Sequence, residues 1–133
     1  MTGERGTDHV SHPEVAFADD RGTITDLIEQ EAFDSASLIT TTAGAVRGNH
    51  YHLETYQVIY VISGRLRVVT RLPGEEIVVH EADAGDLVRT PPAEHHAIQA
   101  VTDAAMFVLT RGPRGGQSYE SDTFRLDDPL IPS

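Results

Sequence analysis

The chain has 133 residues, a formal net charge of −11, 39% hydrophobic residues and no cysteine. That length suits one domain with a sizeable core, and the missing cysteine excludes disulfides, thiolate metal ligands and a cysteine nucleophile. The acidic balance argues against nucleic acid or an anionic membrane as partner, since both need a basic footprint. All ten basic residues are arginine, so no lysine is present to form a Schiff base.

Residues 1–13 are polar, mixed in charge and without apolar periodicity, and they read as a flexible leader with neither signal-peptide nor transit-peptide character. No apolar run approaches membrane-spanning length, and a cytoplasmic protein is expected. From Val15 onward the pattern is of short strands: Ile24 to Ile28, Ala36 to Thr42, Val58 to Ile62, Leu66 to Thr70, Ile77 to His80, Leu87 to Thr90 and Met106 to Thr110. Ser63-Gly64, Pro73-Gly74, Ala84-Gly85-Asp86 and Pro91-Pro92 separate them as turns. Thr25 to Phe33 could pass for a short helix but lacks caps at both ends. Gly112, Gly115 and Gly116 match no phosphate-binding spacing and read as a flexible loop, and the last residues, 127–133, read as an irregular tail.

Many short strands with regular turns imply an all-β sandwich or barrel. Val58-Ile59-Tyr60-Val61-Ile62 is apolar on both faces, whereas Arg65-Leu66-Arg67-Val68 alternates as a strand with one wet face does. A small jelly-roll barrel with an open mouth accommodates both.

The chemistry concentrates in Arg47-Gly48-Asn49-His50-Tyr51-His52. Histidines at i and i+2 of a strand point to one face, so His50 and His52 can reach one metal ion or one bound substrate. Gln57 and His96 could complete a set of four ligands from neighbouring strands. Tyr51 and His95 should then face outward, and Ile59, Val61, Ile98 and Ala100 should form an apolar wall beside the site. Glu54 is a rival carboxylate, but its place two residues beyond His52 puts it in the connecting turn. His9, His12 and His80 lie in the leader or at a strand end and receive no role.

Two signatures resemble those of the cupin superfamily. Gly44, five residues, His50-Tyr51-His52, four residues, Gln57, six residues, Gly64 is similar to the first, and Gly85, five residues, Pro91-Pro92-Ala93-Glu94-His95-His96 is similar to the second. The resemblance implies a double-stranded β-helix, a jelly-roll barrel over residues 14–126, with His50, His52, Gln57 and His96 as ligands of one divalent transition metal: zinc, nickel, iron or manganese. Three positions depart from the usual cupin pattern, which has glutamate at Gln57, glycine at Ala93 and asparagine at Ala100. A neutral glutamine leaves a divalent ion its full charge, which favours Lewis-acid chemistry over oxygen activation. Gln57 could instead orient a histidine from behind.

A narrower resemblance joins Asp20-Arg21-Gly22, Arg47-Gly48-Asn49-His50-Tyr51-His52 and Tyr119-Glu120-Ser121-Asp122-Thr123-Phe124-Arg125. Together they are similar to nucleotide-sugar ketoisomerases and to cupin domains of polysaccharide-biosynthesis proteins. That likeness implies His50 and His52 as acid and base moving a proton between adjacent sugar carbons. Arg47 would grip a phosphate or carboxylate, unless it is a surface or salt-bridge arginine.

The expected protein is therefore a single-domain cupin enzyme, a homodimer, that isomerises, epimerises or ring-opens a small oxygen-rich, sugar-related substrate. The rival readings are a metal-dependent polyketide or aromatic cyclase or dioxygenase, and a non-catalytic cupin that binds a small ligand.

Overall fold

The computed structural model describes residues 9–113 and 116–133. Twelve strands and one short helix follow in order: β1 (Val10–Ser11), β2 (Val15–Asp19), β3 (Gly22–Thr25), β4 (Ser35–Thr41), β5 (Val46–Tyr51), β6 (Tyr56–Ser63), β7 (Arg65–Arg71), β8 (Val78–Asp83), β9 (Leu87–Thr90), β10 (His95–Ala100), β11 (Ala104–Arg111), α1 (Gly116–Ser121) and β12 (Phe124–Arg125). Two five-stranded sheets, β1-β9-β6-β11-β4 and β12-β5-β10-β7-β8, form a jelly roll, and β2-β3 is a separate hairpin. Every strand pair is antiparallel.

Residues opposite one another in antiparallel strands share a face, so the register lays the inner faces out as rungs. In the first sheet Val108, Ile59 and Val88 form one rung, and Met106 and Val61 belong to the next. In the second sheet Ile98 faces Val68, and Ala100 faces Leu66. All of these are buried and make up the core. At one end the rungs turn polar: Thr110, Gln57 and Thr90 in one sheet confront His50, His96 and Thr70 in the other. The apolar rungs hold the barrel closed, and the polar end is where chemistry can sit.

The segment expected as a leader is partly built into the barrel. Residues 1–8 lie outside the described residues, but β1 pairs with β9 through Val10 opposite Val88, and Val10 packs on the core. His9 is buried, with Nε2 2.5 Å from Glu94 Oε1 and its ring 5.2 Å from that of His80. A two-residue strand flanked by polar residues carries too little periodicity to be read from sequence.

Residues 26–34 form no helix. Instead Phe33 stacks on Tyr56, and Glu31 is engaged by Arg89. The glycine loop expected beyond Arg111 is followed by α1; Arg114 and Gly115 lie outside the described residues. The C-terminal tail is irregular yet docked, because Ile131 packs with Val69 and Ala97 on the outer face of the second sheet.

Candidate functional site

β5 supplies Arg47 and His50, with His52 just beyond its end, and a bulge in the strand decides their placement. His50 pairs with His96 and Gly48 with Ala97, so Asn49 is an extra residue on the β5 side. Asn49 adopts a φ of 58° and Gly48 a φ of 88°. At Gly48 a Cβ would lie 2.9 Å from the carbonyl oxygen of His96, so only glycine lets β5 and β10 approach here. The Asn49 side chain accepts from the backbone N–H groups of Leu130 and Ile131 and donates to the Ile131 carbonyl, which fastens the C-terminal tail beneath the bulge.

The bulge shifts parity. In an unbroken strand Arg47 would point away from the face that carries His50. With Asn49 inserted, Arg47 pairs with Ile98 and joins His50 on the inner face. Tyr51 points outward as expected, stacked between His95 and Phe124 at centroid distances of 4.8 and 5.2 Å.

The histidines His50, His52 and His96 converge, with one ligand nitrogen from each lying within 4.8 Å of the others. His50 and His96 open onto a cavity of about 260 Å³ whose walls also include Gln57, Arg47, Tyr119 and Ile59. His52 is only 2% exposed and stands behind this wall, its ring 4.7 Å from His50 and 5.2 Å from Tyr119. Gln57 is buried on the facing sheet and donates through Nε2 to Thr110 Oγ1 at 3.2 Å, which leaves its carbonyl oxygen as the acceptor end. Ile98 and Met106 extend the apolar wall. Glu54 is exposed in the turn after His52 and is not part of the cluster.

Burial is the main reason that the pKa of His50 falls to about 4, with further lowering from His52 and Arg125. His96 falls to about 3, again first through burial and then through His50 and His52. Both are therefore neutral imidazoles with lone pairs to offer at neutral pH. His52 Nδ1 lies 3.0 Å from the backbone carbonyl oxygen of Asp122. A carbonyl can only accept, so Nδ1 carries the proton and Nε2 is the basic nitrogen.

Asp122 is the residue that sequence reasoning did not single out. Its carboxylate accepts from the backbone N–H groups of Leu53, Glu54 and Thr55 and from the Thr55 hydroxyl, at 2.7 to 3.2 Å. Burial pushes its pKa up, but those hydrogen bonds outweigh it and hold the carboxyl below its ordinary range. One residue thus pins the loop after His52 with its side chain and orients His52 with its carbonyl. Tyr119, one turn earlier in α1, brings a phenol to the cavity wall. The run Tyr119 to Arg125 was the visible signal, but its partners in β5 and the 53–55 loop lie about seventy residues away in sequence.

Three imidazoles, one with its Nδ1 proton fixed by a carbonyl, are a donor set that fits a divalent transition metal. The same geometry can hold a substrate oxygen or move a proton.

No helix among the described residues is long and apolar enough to cross a membrane. No curated protein sequence matches the chain. Among solved structures it is similar to the sugar 3,4-ketoisomerase QdtA from Thermoanaerobacterium thermosaccharolyticum in complex with TDP, at TM-score 0.70 and 20% identity over 90% of each chain. It is also similar to dTDP-4-dehydrorhamnose 3,5-epimerase from Sulfolobus tokodaii, at TM-score 0.68 and 20% identity over 86% of this chain and 73% of that one. The capsular polysaccharide assembling protein CapF from Staphylococcus aureus matches at TM-score 0.63 and 24% identity, over 89% of this chain and 34% of CapF. These likenesses establish the cupin barrel. The family model described as the polysaccharide biosynthesis C-terminal domain matches residues 17–124, and the chain belongs to that family.

Proposed function

We propose that the protein is an enzyme that rearranges a sugar-derived, oxygen-rich substrate without net oxidation, by isomerisation, epimerisation or ring opening. The observation that carries this reading is the convergence of His50, His52 and His96 beside a cavity whose polar wall also holds Arg47 and Tyr119. Such a reaction removes a proton from a carbon next to a carbonyl and returns it elsewhere through an enediol or enolate, which needs a base, an acid and a group to hold the developing oxyanion.

His50 stands on the cavity wall with a neutral imidazole and takes the role of base. Tyr119 carries a phenolic proton on the same wall and takes the role of acid. Arg47 offers its forked donors to a carbonyl or acidic oxygen of the substrate and orients it. The apolar side chains of Ile59, Ile98 and Met106 keep water from the reacting carbons. Alternatively, His50, His52 and His96, with the Gln57 oxygen as a fourth donor, would hold one zinc, nickel, iron or manganese ion, and the lone pair of His50 would then be committed to it rather than free to act as base. When bound, that ion would supply Lewis-acid stabilisation of the oxyanion.

The reading extends to a homodimer. Val15, Phe17 and Ile24 on the β2-β3 hairpin are each more than half exposed, and the hairpin pairs with neither large sheet. An apolar hairpin of this kind is accounted for by a second copy that covers it.

The test is solvent exchange. Keto sugars and sugar nucleotides incubated with the protein in deuterium oxide should gain deuterium at a carbon next to the carbonyl. Exchange should fall at least a hundredfold in His50→Gln and in Tyr119→Phe. Turnover of a substrate with oxygen consumption and no deuterium gain would overturn the reading.

A further inference from the structure

His9, to which local sequence pattern gives no role, is buried against the turn that leads into β10. It is 7% exposed and Glu94 is 4% exposed, with His9 Nε2 2.5 Å from Glu94 Oε1. A carboxylate accepts, so Nε2 carries the hydrogen that is donated. A carboxylate buried this deeply is costly unless it is paired, and His9 pairs it. The contact joins residues 85 positions apart in sequence, the N-terminal strap that runs into β1 and the turn that runs into His96.

That turn is held from two sides. Ala93 donates its N–H to the His52 carbonyl at 2.6 Å, and the next side chain, Glu94, runs to His9. Ala93 has a φ of 72°, and a side-chain-bearing residue keeps such a conformation only where its surroundings over-determine it. His96 follows Glu94 by two residues, as the second residue of β10. The Glu94 backbone also acts on the His96 ring, favouring its proton against the stronger effect of burial. The turn therefore meets one histidine of the site through a carbonyl and the other through the chain itself.

The strap has anchors besides the His9 side chain. The His9 carbonyl accepts from the Arg89 N–H at 2.8 Å, and Val10 packs on the core. His12 Nδ1 lies 2.5 Å from Asp86 Oδ1, just before β9. Removing the His9 imidazole thus strips Glu94 of its partner while the strap remains fastened.

We infer that His9 is a positioning residue: through Glu94 it fixes the Ala93–Glu94 turn, and that turn sets the imidazoles of His52 and His96. The inference rests on the proposed function only in taking those imidazoles as the working groups.

The test is the ring-nitrogen spectrum of the ¹⁵N-labelled, chelator-treated full chain at neutral pH, which shows which nitrogen of each imidazole carries the proton. It requires no turnover and so stands or falls separately from the exchange experiment. The parent should show His52 protonated at Nδ1 and His96 as a single tautomer. In His9→Ala both rings should shift toward the average of the two tautomers. His9→Asn, polar but too short to reach Glu94, should do the same and guards against a collapse of the fold in His9→Ala. His9→Gln, whose amide nitrogen can stand where Nε2 stands, should restore the parent pattern. His12→Ala, which loosens the same strap at its other contact, should leave both rings as they are. Unchanged rings in His9→Ala and His9→Asn, no restoration in His9→Gln, or an equal shift in His12→Ala would each overturn the inference.

Discussion

His50 and His96 face each other as a rung between β5 and β10, their rings edge-on at 89° with centroids 4.8 Å apart. The rung exists because Gly48 lets the strands close up beneath it and because Asn49 is set aside in the bulge. Pairing two buried imidazoles holds both in the neutral form, since each proton added would meet burial and its neighbours.

That arrangement fixes a pH dependence. The folded pKa values, about 4 and about 3, lie below the ordinary 6.5, so the unfolded chain binds protons that the native chain refuses. Stability from this source is complete above the unfolded value and is lost as pH falls toward the folded values. The urea midpoint of chelator-treated protein should therefore drop between about pH 7 and pH 5, and His96→Gln should flatten the drop. A midpoint independent of pH across that window would refute the assignment.

Metal content tests the ligand set directly. Protein purified without chelator should carry close to one zinc, nickel, manganese or iron ion per chain, and His52→Ala should lose it. Gln57→Ala should weaken retention by about one order of magnitude if its oxygen is a ligand. Metal-free parent protein, measured by elemental analysis, would leave the histidines to act as bare acid and base.

Asp122 joins the loop after His52 to the segment that follows α1. Asp122→Ala leaves the N–H groups of Leu53, Glu54 and Thr55 without their acceptor, at a cost of about 3 kcal/mol. Chemical denaturation should show that loss. Metal retention or exchange activity should fall further than stability explains, because the carbonyl that orients His52 moves as well.

Ala93 sits at a φ of 72°, a left-handed conformation at a position where a side chain is a burden. Its N–H donates to the His52 carbonyl at 2.6 Å, so the conformation holds the entry to β10 against the site. Ala93→Gly should raise stability by roughly 0.5–1 kcal/mol, seen as a higher Tm. An unchanged or lower Tm would show that the strain is absent.

The hairpin β2-β3 predicts a concentration-dependent assembly. Light scattering at micromolar concentration should give the mass of two chains, and Phe17→Asp together with Ile24→Asp should give that of one. A monomeric parent would remove the homodimer from the proposed function.

The strand core of the barrel was legible because alternation, β-branched runs and glycine turns are local properties. β6, β7, β9 and β11 cover or extend the stretches expected from Val58, Leu66, Leu87 and Met106 onward. Convergence of His50, His52 and His96 was likewise legible, since a period of two places the first pair on one face and the cupin signatures supply the third. Strand periodicity could not place Arg47, because a one-residue bulge reverses parity and only the pairing with β10 shows the bulge. Nor could it find β1, the docked tail or the hold of Asp122 on His52. Each of those depends on contacts between residues seventy or more positions apart, which hydrophobic pattern does not encode. Local pattern along the chain is enough for a small all-β barrel and for the chemical types gathered in it. Tertiary structure decided which of those groups reach the cavity, because only strand register turns a list of side chains into a shared face.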